Sequence, residues 1–183
     1  VDNLSNGVRA TRWLTDSIRV GATAYHQGER GADQTLRGAD VLLRWRPGTF
    51  VRLEGARSEG IGTTVGTSQD GGFAFGQLAP GAAADGPADA WRVETAVDLA
   101  DVGLGHGAIT AYAQDRGRGY SAPGQVAFGG EASRQQGGRA AVKLGDRTTL
   151  EAKADRRDGD LLGANAEELA LRRQVSPDWQ LAS

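Results

Sequence analysis

The chain has 183 residues, enough for one domain of ordinary size. Its 21 Lys and Arg against 23 Asp and Glu leave a formal net charge of -2, which excludes the basic excess expected of a nucleic-acid binder. There is no Cys, so neither a disulfide framework nor a thiolate metal site is available, and no apolar run approaches the about 18 residues of a transmembrane helix. Glycine is abundant: its 28 residues are roughly twice the usual share of about 7%, and without a Gly-X-Y period they predict many turns and long loops. The sequence has no Met, even at its start, and no charged-then-apolar leader; it reads as a piece cut from a longer protein.

Taken in chain order, the predicted elements share a period of two, the signature of a strand with unlike faces. The first carries Val8, Ala10, Arg12 and Leu14 on one side and stops at the turn formers of "LTDS", Leu14 to Ser17. "SIRVGATAY" sets Ile18, Val20, Ala22 and Ala24 against Arg19, Thr23 and Tyr25. "GADVLLRW" sets Ala39, Val41, Leu43 and Trp45 against Asp40, Leu42 and Arg44; a tight "RPGT" turn follows. "TFVRLEG" then sets Val51, Leu53 and Gly55 against Phe50, Arg52 and Glu54. The longest unbroken alternation is "AWRVETAVDL": Trp91, Val93, Thr95, Val97 and Leu99 oppose Arg92, Glu94 and Asp98. As a helix that segment would put Trp91, Thr95 and Asp98 together, with no amphipathic sense. "GRAAVKL" sets Ala140, Val142 and Leu144 against Arg139 and Lys143, and "TLEAKAD" sets Leu150, Ala152 and Ala154 against Glu151, Lys153 and Asp155.

The connections also alternate. Short ones are Leu14 to Ser17, Arg46 to Thr49, Leu99 to Gly107, Leu144 to Thr148 and Ser176 to Trp179. Long ones are Gln27 to Gln34, Ser58 to Asp89, Gly117 to Gly130 and Asp158 to Ala166. A loop of some thirty residues such as Ser58 to Asp89 is rare in a compact soluble domain unless it has a function.

About ten strands, tight turns at one end and long loops at the other resemble a bacterial outer-membrane β-barrel. The stretch "WRPGTFVRLEGARSEG", Trp45 to Gly60, with "DGG" at Asp70 to Gly72, is similar to barrel regions of large proteobacterial outer-membrane proteins of the TonB-dependent receptor and porin kind. The resemblance implies an all-β, antiparallel, up-and-down transmembrane barrel, or a large part of one, in a single domain. It implies short periplasmic turns, long extracellular loops, the outer membrane of a Gram-negative bacterium as location, and assembly by the barrel-assembly machinery.

Lipid accounts for the alternation. Inside hydrocarbon every backbone N–H and C=O must be bonded within the protein, so only helices or closed sheets serve. Val41, Leu43, Trp45, Val51 and Leu53 would then face lipid. Asp40, Arg44, Arg52, Glu54, Arg92, Glu94, Asp98, Arg139, Lys143, Glu151 and Lys153 would line the lumen and pair across strands. Trp13, Trp45, Trp91 and Trp179 lie near strand ends, where interfacial aromatic girdles belong. Arg12, in the apolar register, must lie near an interface. A soluble sheet or sandwich would alternate as well. Strands of about 9 to 10 residues, long against the soluble mode of about 5 to 6, and an apolar face rich in Ala and Gly favour the barrel.

No catalytic set is visible. His26 and His106 lack neighbouring His or Cys, Ser121 in "GYSAPG" lies in a loop rather than a nucleophile elbow, and "GIGTTVG", Gly60 to Gly66, lacks the Lys of a phosphate loop. "DRRDGD", Asp155 to Asp160, offers only some of the oxygens that Ca²⁺ needs. The expectation is a non-enzymatic barrel without cofactor or metal. Its partners would be outer-membrane lipid and small solutes, in a pore or receptor-type transport role. The rival is a structural barrel that anchors surface loops or adhesin-like domains.

Overall fold

The computed structural model describes residues 4–28, 33–60, 66–67, 76–77, 86–122, 132–160, 163–176 and 179–182. Among them the chain is all β, with no helix. Nine strands of 10 to 13 residues run up and down: β1 (Leu4–Trp13), β2 (Ile18–Gly28), β3 (Gln34–Arg46), β4 (Thr49–Gly60), β7 (Ala88–Asp98), β8 (Gly107–Arg116), β9 (Ser133–Lys143), β10 (Thr148–Gly159) and β11 (Ala164–Ser176). The four-residue β12 (Trp179–Ala182) completes one antiparallel sheet in the order β1-β2-β3-β4-β7-β8-β9-β10-β11-β12. Two-residue strands β5 (Gly66–Thr67) and β6 (Gly76–Gln77) pair with each other inside the connection from β4 to β7. The sheet is open: β1 and β12 are its two edges.

Both sets of connections fall as the sequence predicts, with one difference. The segment from Asp158 to Ala166, read as a long loop, shrinks to residues 160–163, because β10 continues to Gly159 and β11 begins at Ala164. The charged run "DRRDG" keeps the strand period, so Asp155 and Arg157 take one face while Arg156 and Asp158 take the other.

Register assigns every strand its faces. Asp40 stands opposite Gly21 on β2 and Glu54 on β4; Glu54 stands opposite Arg92, and Arg92 opposite Gln114. All of these share one polar face. The other face carries Val20, Val41, Leu53, Val93 and Ala113. The polar face is the inside of the fold. Gln34, Leu36, Asp40, Leu42 and Ser58 on it are buried, whereas Val8, Leu43, Trp45, Leu53, Trp91, Ile109, Leu169 and Leu171 on the apolar face are exposed. Trp45 alone is 65% exposed. A soluble sheet covers its apolar side with a second layer. Among the described residues nothing covers this one.

The apolar face is a band with charged margins. Along β2 to β10 its middle positions are aliphatic, aromatic, Ala or Gly, with Thr95, Gln136 and Thr148 as polar members. At the long-loop margin the same face turns charged: Arg37, Arg57, Asp89, Asp115, Arg134, Arg156 and Asp158. Ion pairs link some of them, Arg57–Asp89 at 3.7 Å, Arg134–Asp115 at 2.9 Å and Arg156–Asp158 at 3.0 Å. These pairs are mostly exposed, so each adds about 0 to 1 kcal/mol at most. Arg12 and Arg173 lie on the same face toward the short-turn margin.

Candidate functional site: the inward polar face

All eleven charges singled out by sequence, Asp40, Arg44, Arg52, Glu54, Arg92, Glu94, Asp98, Arg139, Lys143, Glu151 and Lys153, stand on the polar face. They form separate groups rather than one constellation. On the β1 side, Asp40 would face Glu54 across β3 and β4, a like-charge opposition. It leans the other way instead. Its side chain crosses β2 above Gly21 and accepts a hydrogen bond from Arg9 Nη2 at 2.6 Å, with Arg19 Nη2 at 4.0 Å from its second oxygen. A Cβ on Gly21 would lie 2.3 Å from Asp40 Oδ1, so only glycine leaves this path open.

In the middle of the sheet Glu94 is held by Arg52 at 3.7 Å and Arg92 at 3.5 Å. Arg92 donates to Gln114 Oε1 and covers the Tyr112 ring at 5.2 Å. Gln114 donates to Gln135, which donates both to Tyr112 Oη and to Asp155 Oδ1. Tyr112 in turn donates to Asp155 Oδ2. This bond spans β8 to β10 above Gly137, where a Cβ would lie 2.6 Å from Asp155 Oδ2. The arrangement repeats the one at Gly21: a glycine on a middle strand lets partners two strands apart meet. Beyond it, Glu151 joins Arg139 at 3.2 Å and Arg172 at 3.4 Å. A cavity of about 320 Å³ opens here, lined by Tyr112, Arg139, Glu151, Lys153, Asp155 and Arg172 among others.

Two of the eleven serve turns at the short-turn end. Asp98 Oδ1 accepts from the Ala100 amide, and the Asp98 amide donates to Thr49 Oγ1. Arg44 donates to the Asp16 carbonyl and lies 4.2 Å over the Trp13 ring. Trp13 therefore departs from the expected girdle. It pairs with Arg19 in register, which puts it on the polar face under Arg19 and Arg44. Trp45 and Trp91 lie on the apolar face, and Trp179 is 74% exposed near the β11–β12 turn.

At the long-loop end the structure adds a feature that sequence reasoning missed. After β8 the chain turns inward over the sheet. The Ser121 amide donates to Ser58 Oγ, its hydroxyl donates to the Gly60 carbonyl, and Gln34 Nε2 donates to the same hydroxyl at 2.7 Å. Gln34 and Ser58 are each 1% exposed. The segment is a strap fastened on β3 and β4. Burial pushes the Tyr120 phenol above its ordinary value; Arg116 opposes the shift and Glu54 adds to it. In the sequence, Ser121 could be examined only as a nucleophile, because nothing in "GYSAPG" marks a contact with Gln34 and Ser58. Ser121→Ala leaves the buried Gln34 donor without its acceptor. We expect a loss of about 1 to 3 kcal/mol in urea unfolding of the folded protein and faster proteolysis within residues 117–122.

The remaining sequence candidates disperse. Asp155 belongs to the Tyr112 network, Asp158 pairs with Arg156, and Asp160 pairs with Arg118. His26 and His106 are exposed on different connections or margins. Residues 61–65 of "GIGTTVG" lie outside the described residues. Among the described residues no three His, Asp or Glu side chains converge as a metal site. Comparison with family models, with curated proteins and with solved structures yields no match to this chain.

Proposed function

We propose that this sheet is the wall of an outer-membrane β-barrel whose apolar face meets lipid and whose polar face lines a passage for small solutes. One observation carries the reading: a ten-stranded sheet exposes a band of large apolar side chains on one face, while the buried residues of its strands lie on the opposite, charged face. In water that distribution is unfavourable, since burial of each large aliphatic side chain is worth about 1.5 to 3 kcal/mol. In a bilayer it is the required one, with the charges placed where water can reach them from within. The outward charges at the two margins support the reading of a hydrocarbon band between two interfaces. The self-paired groups on the polar face support a second reading, a structural barrel that displays its long loops. The cavity beside Lys153 favours the passage.

The test is folding of the purified chain in detergent or lipid against plain buffer, followed by far-UV circular dichroism and heat-modifiable gel mobility. Strand signal and a heat-sensitive compact band are expected only with lipid or detergent. Cooperative folding as a soluble monomer in buffer would sink the membrane reading.

A further inference from the structure

The charge on the polar face is unevenly distributed. From β1 to β7 it carries Arg9, Arg19, Arg44, Arg52 and Arg92 against Asp40, Glu54, Glu94 and Asp98, a near balance. From β8 to β11 it carries Arg116, Arg139, Lys143, Lys153, Arg157 and Arg172 against only Glu151, Asp155 and Glu168. Two of those three carboxylates are already engaged, Glu151 by Arg139 and Arg172, Asp155 by Tyr112 and Gln135, and the third, Glu168, stands opposite Lys153 across β10 and β11. Arg116, Lys143, Lys153 and Arg157 make neither a hydrogen bond nor an ion pair through their side chains among the described residues. The strap at Ser121 is fastened over β3 and β4, on the balanced half. The open cavity lies on the other half, lined by Arg139, Lys153 and Arg172 and by Glu151, Asp155 and Glu168, with Lys143 outside its lining.

From this placement we infer that the inward face of β8 to β11 is a path for small anions, with Lys143 and Lys153 as its selecting charges. The inference rests on the passage reading above and adds the sign of the solute to it. Unpaired Lys and Arg on a wet wall raise the local concentration of anions and repel cations, the arrangement by which a pore selects anions. The paired charges contribute less to this field, because Asp40, Glu94 and Glu151 each offset one of the two guanidinium groups they hold.

Two measurements separate the inference from the reading beneath it. The first is reversal potential across a planar bilayer holding the folded chain in a KCl gradient. Chloride preference is expected, with a shift toward potassium in Lys143→Glu/Lys153→Glu and no shift in Arg37→Glu on the outward face. Potassium preference in the unaltered chain, or selectivity unmoved by the double variant, overturns the anion path while the pore stands. Absence of any conductance removes the pore and the path together. The second measurement needs no pore. Ala141→Cys places a thiol between Arg139 and Lys143 in a chain without native Cys. Its reaction with a sulfonate-bearing thiosulfonate should outpace that with an ammonium-bearing one, relative to free cysteine. Equal relative rates overturn the cationic character of this face even if a current is seen.

Discussion

Leu53→Arg should cost the lipid-folded protein about 2 to 4 kcal/mol, the penalty for a guanidinium at mid-depth on a lipid-facing strand. Leu53 stands on the apolar face between Val41 of β3 and Val93 of β7, and it is 42% exposed. On a water-facing sheet the same change at a half-exposed site would fall within about 0.5 kcal/mol. The position along β4 adds a second axis to the comparison. Four residues on, the same face carries a native Arg57 at the charged margin. An arginine scan at positions 53 and 55 should therefore show a cost that declines toward residue 57. Urea unfolding from vesicles measures it. A flat profile, or equal losses in buffer, would mean that no hydrocarbon layer meets this face.

That test rests on something only partly legible in the sequence. Alternation in "AWRVETAVDL" and "VLLRW" was enough to predict strands and to assign Val93 and Leu43 to one side, because side-chain direction in a strand has a period of two. What lay beyond reach was the level of each residue across the sheet. Arg37, Arg57 and Asp89 sit far apart in the chain, and only register sets them in one row across β3, β4 and β7; it sets Asp115 beside Arg134 in a second row and Arg156 beside Gln136 in a third. Trp13 shows the same limit. Its place near a strand end suggested an interfacial girdle, but the neighbours that decide its face, Arg19 and Arg44, come from the two strands after its own. The strap at Ser121 depends on Gln34, 87 residues away, a separation that no local pattern encodes.

The glycines of the polar face were equally silent. A high glycine content predicted turns, and turns do contain them, yet Gly21 and Gly137 sit in the middle of strands, where glycine ordinarily weakens a sheet. Their reason lies on the neighbouring strands. Each leaves room for polar partners that would otherwise be held apart by an intervening side chain, since β1 and β3, or β8 and β10, are two strand spacings, about 9.5 Å, apart. The polar networks thereby tie strands in threes rather than in pairs. They resist shear of the sheet where, among the described residues, no opposing layer covers the apolar face to do so.

Gly137→Val puts that argument at risk. A Cβ at this position would meet Asp155 Oδ2 at 2.6 Å, the Ala154 carbonyl oxygen at 2.9 Å and the Tyr112 ring at 3.0 Å. The Asp155 oxygen can swing away, at the loss of the Tyr112 hydrogen bond, but the Ala154 oxygen belongs to the backbone of the paired strand and cannot. Overpacking of this kind costs about 1 to 3 kcal/mol. Loss of the Tyr112–Asp155 bond beneath the Arg92 guanidinium adds about 1 to 3 kcal/mol more. Gly55→Val is the control, for Gly55 is also mid-strand but a Cβ there has nothing within 4 Å. That variant should match or exceed the parent in stability, because it removes glycine's entropic cost of about 0.5 to 1 kcal/mol. Paired with Asp155→Asn or Tyr112→Phe, Gly137→Val should lose less than the sum of the single changes, since all three remove the same bond. Strict additivity in urea unfolding from lipid would show that Gly137 acts through the backbone alone, and the idea that glycine serves the polar network would fail.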